Sequence, residues 1–365
     1  MNDYIILNLV PAYKEAPSSY ELFKKNIEEI LRLLSTSNYN KKYLLVNKKE
    51  SDSLKLREKY YNQLENIQLV ETEYTDGFVF NNQSAVLNVL ESEKPIPSNK
   101  ENIYTLEEFL GSEKKTVFIF GAAKNKGMHI LNKKTTGQKI LDNSGLTKEF
   151  KGIYLGYPMG LFISKENLNE ELELKTDYIE IYDESNCMLN SLLNISKRFS
   201  NESCGRCVLG YEGTSQINMI LNDVSMKKGK ASDLGLLIDL CSQMQTQCLC
   251  DIGSNLAESI ISCINNFKKE IEDHINKKNC RALVCSKFVT YHILQDKCSG
   301  CTECMDACDD DAILGKKKYI HVIDQDECTQ CGKCINACDE GAIVKAGLAK
   351  PKCPVKPIPC KSKQL

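Results

Sequence analysis

The sequence predicts a multidomain α+β protein, and three observations carry that expectation. A chain of 365 residues is long enough for several compact domains, and 42% hydrophobic with 26% charged residues is an ordinary globular balance. The apolar pattern changes along the chain, from short runs parted by turn signals to helix-spaced positions after residue 187. All nineteen cysteines lie after residue 186, so a cysteine-free front precedes a cysteine-rich back.

Taken in order, residues 1–112 read as a small α/β region. Strands are expected near Tyr4–Val10 and Tyr43–Val46, with a helix around Ser19–Leu34 and a helical run near Ser84–Leu90. The polar stretch from Glu91 to Asn102, with two prolines, looks like a linker. Over 113–182, short strands such as Thr116–Phe120 and Gly152–Leu155, with one helix near Thr136–Ser144, predict a small sheet with one packed helix. In 183–280 the apolar positions fall at helix spacing: Met188, Leu189, Leu192 and Leu193, then Leu234, Leu237, Ile238 and Cys241, then Leu256, Ile260, Ile264 and Phe267. That pattern predicts a bundle of about four helices. Residues 281–346 are short, turn-rich and built around cysteines, and 347–365 read as a flexible Pro-, Lys- and Cys-containing tail.

A net charge of −2 and a pI near 6.2 give no basic field for nucleic acid, which is not expected as a partner. No apolar stretch reaches the roughly 18 residues of a membrane span, and the start lacks a basic export signal. A cytoplasmic protein without a transmembrane segment is therefore expected. Disulfides do not suit a chain of this size with many cysteines two residues apart; metal ligation does.

The strongest signal is a duplicated run. Cys298-Ser-Gly-Cys301-Thr-Glu-Cys304-Met-Asp-Ala-Cys308 is followed by Cys328-Thr-Gln-Cys331-Gly-Lys-Cys334-Ile-Asn-Ala-Cys338. Two-residue gaps let three thiolates wrap three corners of one cubane, and the fourth cysteine of such a run ligates the other cluster. Two [4Fe–4S] clusters in a ferredoxin-like domain are expected, one on Cys298, Cys301, Cys304 and Cys338, the other on Cys328, Cys331, Cys334 and Cys308. Zinc on paired CxxC elements competes, but it would leave the third cysteine of each repeat poorly explained. Asp309 and Asp339 stand where the usual motif has Pro, and their charge should lower the cluster potentials.

Further segments carry a family likeness. Val117-Phe-Ile-Phe-Gly-Ala-Ala-Lys-Asn-Lys-Gly127, then Glu202-Ser-Cys-Gly-Arg-Cys207, then Glu212-Gly-Thr214 and the cysteine runs occur in one order. From about Thr116 to Val344 the chain thus resembles the flavin and iron–sulfur subunit of complex I-like NADH dehydrogenases. It is more similar still to the version in NAD-linked bifurcating hydrogenases, where a two-cluster ferredoxin domain is appended. The resemblance implies a reduced α/β front domain, a β-grasp soluble-ligand-binding domain over 113–182, a helical iron–sulfur-binding domain over 183–280 and the ferredoxin domain over 281–346.

In that family the helical domain holds a [4Fe–4S] cluster on a CxxCxxC run and a fourth cysteine downstream. Cys204, Cys207 and Cys250 match, but Gly210 stands where the third cysteine belongs. Three outcomes stay open: Cys248 substitutes, a three-iron or water-ligated cluster forms, or the bundle is degenerate with leftover thiols. His274, Cys280 and Cys285 form a second constellation, to which the resemblance adds Cys187. Cys3His is a closed structural zinc composition; the alternative is an exposed histidine beside buried thiols.

The front departs most from the family. Its GRGGAGFPTG-type flavin loop and ADEGDPGA-type segment are missing, and Asp76 to Glu91 resembles a worn copy of a later stretch, with Asn82 and Gln83 where acidic residues are usual. The flavin mononucleotide (FMN) and NADH sites are expected to be lost, leaving a scaffold for docking. The expected function is an iron–sulfur electron-transfer subunit of a cytoplasmic multi-subunit oxidoreductase, with no catalytic residue of its own. It would relay electrons between ferredoxin or a NADH/flavin partner and a catalytic subunit, in an anaerobe. The alternatives are a NADH oxidoreductase subunit with its own flavin and a structural or redox-sensing adaptor. Cys353 and Cys360 are assigned no role.

Overall fold

The computed structural model describes residues 4–99, 103 and 105–360, so Lys100 to Asn102 of the expected linker and the end of the tail lie outside the described residues. The chain divides into two compact units. One comprises Met1–Glu184, Leu192–Met219 and Leu234–Phe267; the other comprises Ser185–Ser191, Ile220–Asp233 and Lys268–Leu365.

The first unit opens with β1 (Tyr4–Asn8), α1 (Ser18–Lys25), α2 (Ile27–Thr36), β2 (Lys41–Asn47), α3 (Lys48–Leu54), α4 (Leu56–Lys59) and β3 (Gln68–Thr72). The strands form a parallel sheet in the order β1-β2-β3. Successive side chains of a strand point to opposite faces. Leu7 and Leu44 pack with Phe23, Ile30, Leu31 and Leu34, while Ile6 and Leu45 pack with Phe80 and Val86. Burial on both faces explains the unbroken apolar runs of β1 and β2. The helix expected from Ser19 to Leu34 is two helices. Asn26 leaves helical geometry at φ −136, and its side-chain amide donates to the Leu22 carbonyl at 3.2 Å.

Asn82 precedes α5 (Gln83–Leu90), accepts the Ala85 N–H at 3.1 Å and donates to the Asn99 carbonyl at 2.7 Å. It is an N-cap that also fastens the following segment. Then α6 (Leu106–Phe109) starts on a Thr105/Glu108 capping box.

Next come β4 (Lys114–Gly121), β5 (Gly127–Asn132), β6 (Lys134–Thr136), α7 (Gly137–Ser144), β7 (Phe150–Leu155), β8 (Leu161–Ile163), β9 (Glu171–Glu173) and β10 (Tyr178–Asp183). Five of these strands make a mixed sheet in the order β5-β4-β10-β7-β8, with only β4 and β10 parallel. Ile140 and Leu141 of α7 bury against Val117, Ile119, Ile153 and Ile179. Gly121 lies at φ +79, where a Cβ would fall 2.1 Å from the Ile181 carbonyl oxygen, so no other residue fits there.

Four helices follow: α8 (Met188–Glu202), α9 (Thr214–Ser225), α10 (Asp233–Gln247) and α11 (Asp251–Asn276). Phe267 interrupts α11 with φ −131. Each of the four contributes residues to both units.

The end of the second unit is built from β11 (Thr290–Ile293), α12 (Glu303–Asp306), β12 (Ile313–Leu314), β13 (Tyr319–Ile320), β14 (Val322–Ile323), α13 (Lys333–Asn336), β15 (Ile343–Ala346) and β16 (Ile358–Pro359). β11 pairs with β15, β12 with β14, and β13 with β16, all antiparallel. The tail is therefore not free as far as residue 360. Ile358–Pro359 adds to an edge, where a residue without an N–H is tolerated, and the Cys360 N–H donates to the Lys318 carbonyl at 3.0 Å.

Candidate metal centres

The two cysteine runs fold alike. Gly300 and Gln330 lie at φ +72 and +63, and Thr302 and Gly332 at φ +80 and +81, so each run turns through the left-handed region at matching places. Each then enters a short helix carrying its third cysteine, Cys304 in α12 and Cys334 in α13. The turns bring thiols together across the repeats. Cys298, Cys301, Cys304 and Cys338 line one cavity of about 280 Å³. Cys328, Cys331, Cys334 and Cys308 line another of about 320 Å³.

Ile293, Ile343 and Ala342 supply apolar wall to the first cavity, and Ile313, Ile323 and Ala312 to the second, with Glu340 at the first and Asp310 and Lys333 at the second. Burial, with neighbouring thiols adding, pushes Cys304 up to about 12. Burial likewise pushes Cys334 up to about 11. Thiols so placed are held as thiolates by positive charge, which iron supplies. The all-thiol donor set and the apolar walls fit a [4Fe–4S] cluster in each cavity.

Spacing alone does not single out two residues beside the cavities. His321 is 1% exposed, with Nδ1 3.7 Å from Cys298 Sγ and 4.0 Å from Cys304 Sγ. Tyr291 is buried and lines the second cavity. The thirty-residue offset between the runs maps one onto the other, and that is the signal by which they could have been found.

Cys187, His274, Cys280 and Cys285 converge as a second group, all buried and with ligand atoms within 4.8 Å of one another. Cys187 Sγ is 3.3 Å from His274 Nε2 and 3.6 Å from Cys285 Sγ, and Cys285 Sγ is 3.7 Å from His274 Nε2. A tetrahedron with Zn–S of about 2.3 Å and Zn–N of about 2.0 Å spaces its ligands roughly 3.5–3.8 Å apart. His274 Nδ1 donates to the Glu270 carbonyl at 2.8 Å, which turns Nε2 toward the thiols. Burial opposes charge on His274, but hydrogen bonds with Cys187 and Cys280 outweigh it and raise the ring to about 10. The Cys187–Cys280 hydrogen bond holds Cys280 well below the usual thiol range and Cys187 well above it. The donor set fits a closed zinc site, and His274 is not the exposed histidine of the alternative.

The third group lies in the first unit. Cys250 immediately precedes α11 and accepts the N–H groups of Ile252 and Gly253, although burial prevails and raises its thiol to about 11. The exposed Cys204 adds a smaller effect in the same raising direction on Cys250. Gly210 sits in a π-helical turn, Leu209–Gly213, a form frequent at functional sites. A Cβ on Gly210 would fall 2.6 Å from Cys207 Sγ, and one on Gly253 would fall 2.5 Å from Cys248 Sγ and 3.3 Å from the Gly210 Cα. Cys207 thus lies where the family's third cysteine would begin, and Gly253, which makes room for the Cys248 thiol, packs beside the Gly210 backbone. The Tyr157 hydroxyl donates to Asp251 at 2.5 Å, bracing the start of α11 beside Cys250.

The front half contributes a cavity of about 930 Å³ just beyond the carboxyl end of β1, with Asn8, Val10, Lys115, Tyr157, Glu173 and Asp177 among its lining. Lys115 is buried there between Glu107, at 3.5 Å, and Asp177. Burial raises Asp177 to about 6 against the pull of Lys115.

Residues 190–274 match the family described as the NADH-ubiquinone oxidoreductase-F iron-sulfur binding region, and residues 293–343 match the 4Fe-4S dicluster domain. The first stretch contains Cys204, Cys207, Cys248 and Cys250, and the second contains both cysteine runs. The chain is an iron–sulfur protein related to the F subunit of NADH-quinone oxidoreductase.

Among curated relatives it is 30% identical over 188 residues to the HndC subunit of the NADP-reducing hydrogenase of Solidesulfovibrio fructosivorans, covering 48% of this chain and 38% of that one. It is 26% identical over 212 residues to the NADH-quinone oxidoreductase F subunit of Streptomyces coelicolor, covering 53% and 47%. The chain thus spans less than half the length of either relative. Its fold is similar to a chain of NAD+-reducing [NiFe]-hydrogenase in the H2-reduced state, with a TM-score of 0.64 at 13% identity over 75% of this chain and 57% of that chain. No described helix is long and apolar enough to cross a membrane.

Proposed function

We propose that this chain is an electron relay in a cytoplasmic multi-subunit oxidoreductase, passing single electrons between ferredoxin or a flavoprotein partner and a catalytic subunit. The carrying observation is the exchange of fourth cysteines, Cys338 into the first cavity and Cys308 into the second. That arrangement suits two [4Fe–4S] clusters, on Cys298, Cys301, Cys304 and Cys338 and on Cys328, Cys331, Cys334 and Cys308. Cluster chemistry belongs to the iron; the protein supplies ligation, burial and potential, so no side chain acts as acid, base or nucleophile.

A third cluster belongs on Cys204, Cys207, Cys250 and Cys248, with Cys248 filling the place left by Gly210. This reading is supported by the close seat of the Cys248 thiol against Gly253, whose backbone lies beside Gly210. Zinc on Cys187, His274, Cys280 and Cys285 is structural, since four protein ligands leave no open position.

One observation favours a second reading, in which the chain binds its own flavin. Open parallel sheets bind ligands beyond the carboxyl ends of their strands, and the front cavity lies there. Against it stands the absence of a glycine-rich phosphate loop, and the buried Lys115 is already paired with two carboxylates.

Anaerobic quantitation of iron, sulfide, zinc and flavin, beside EPR of the dithionite-reduced protein, separates these readings. About twelve iron, one zinc and no flavin per chain is the expected result. About eight iron would remove the third cluster. Stoichiometric flavin would replace the relay by a NADH-type enzyme, and clusters that no reductant reaches would leave only a structural adaptor.

A further inference from the structure

The two cysteine runs share their turns and helices, yet differ at the buried ring each cavity receives from the opposite repeat. Tyr291 stands seven residues before Cys298, and His321 seven before Cys328. Tyr291 lies against the second run's thiols and His321 against the first run's. Their acidic surroundings match, with Asp310 at the second cavity and Glu340 at the equivalent place in the first. The ring is one of two polar differences between the sites, the other being Lys333, which lines the second cavity paired with Asp309 while Glu303 stands at its place in the first run.

His321 is not apolar filler. Its Nδ1 lies 3.7 Å from Cys298 Sγ and 4.0 Å from Cys304 Sγ, while Nε2 finds no hydrogen-bond partner among the described residues. Space for the ring is reserved by Gly315, at φ +158, where a Cβ would fall 2.1 Å from His321 Cδ2. A cluster-bound thiolate accepts hydrogen bonds and cannot donate them, so the one N–H of a neutral buried imidazole meets the sulfurs only if it sits on Nδ1. Tyr291 offers no such donor. Its hydroxyl lies beside Gly332 on the cavity wall, where a Cβ would meet it at 2.8 Å, and it makes no hydrogen bond to a thiol among the described residues. An N–H···S bond strengthens as negative charge builds on the sulfurs, so it favours the reduced cluster and raises its potential.

We propose that His321 donates a hydrogen bond from Nδ1 to the cysteine sulfurs of the first cluster, making it the higher-potential centre of the pair. An electron entering the domain then comes to rest there: the second cluster is oxidised by one electron, the first is reduced by one, and the imidazole keeps its proton. This assignment rests on the two-cluster reading given above.

The test is an anaerobic redox titration followed by EPR on the full chain, with iron counted in each sample, for wild type, His321→Phe and the reciprocal Tyr291→His. Beside the signal of the third cluster, wild type should show two midpoints for this segment; His321→Phe should lower the upper of the two alone and narrow the gap, and Tyr291→His should raise the lower one. A His321→Phe protein with full iron and unmoved midpoints overturns the assignment. Should His321→Phe shed iron, Tyr291→His decides: full iron with an unmoved lower midpoint overturns it as well. Wild-type protein that holds no cluster in this segment is a different failure, that of the two-cluster reading itself.

Discussion

In the ferredoxin-like segment, eight thiols face two apolar cavities of similar size, presented by two copies of one turn. Around the start of α11, four thiols are held by unlike devices: Cys250 by two backbone N–H groups, Cys207 against Gly210, Cys248 in the notch of Gly253, and Cys204 on an exposed loop. The first arrangement is written into spacing, because a repeated backbone turn sets where each sulfur goes. The second depends on missing side chains, and glycine makes room that another part of the chain then fills.

The largest test of that contrast is Cys338→Ser. Although Cys338 belongs to the second run by sequence, its loss should abolish the EPR signal of the first cluster and lower the iron count by about four or more. Disappearance of the second signal with the first intact would break the exchange of fourth ligands. Next is Cys248→Ser, which should lower iron from about twelve to about eight, while Cys241→Ser, altering a fully buried thiol outside all three groups, should leave it unchanged. Equal iron of about eight in both proteins would return the helical segment to a bundle with spare thiols, and equal iron of about twelve would remove Cys248 from the ligands.

A smaller effect is expected at the Cys187 group. Cys280→Ser should release the zinc and lower Tm by roughly 10 °C, because a closed site contributes folding free energy directly. Unchanged zinc and Tm would remove the metal from this site. The smallest concerns the front. Asn82→Ala should cost about 1 kcal/mol, read as a fall in the urea midpoint, with iron and zinc unaltered. A loss of bound flavin instead would mean that Asn82 had kept a ligand role from the family's acidic segment.

Legibility follows the range of the interactions. Cys298, Cys301 and Cys304 lie within one turn and a short helix, and their convergence is local. Cys187 is 87 residues from His274, so no local pattern joins them, and only the family likeness points to it. The break between α1 and α2 escapes a sequence reading because the apolar period runs on through Leu22, Phe23, Ile27 and Ile30 while the backbone turns at Asn26. Tail pairing escapes it because two residues of strand leave no periodicity to read. His321 is missed because a single buried imidazole carries no spacing of its own; only the comparison with Tyr291 reveals it.

The exchange of Cys308 and Cys338 also bears on how the protein is made. On the proposed ligation, the first cavity has three of its sulfurs once residue 304 has been synthesised, yet it stays open until residue 338 has left the ribosome. The second cavity has to wait for residue 334, although Cys308 is ready long before. As the chain emerges, the two centres become complete within four residues of each other, at 334 and 338. Loading is then one late event for the whole segment, and a chain cut between the runs would be a thiol-bearing fragment rather than half a relay.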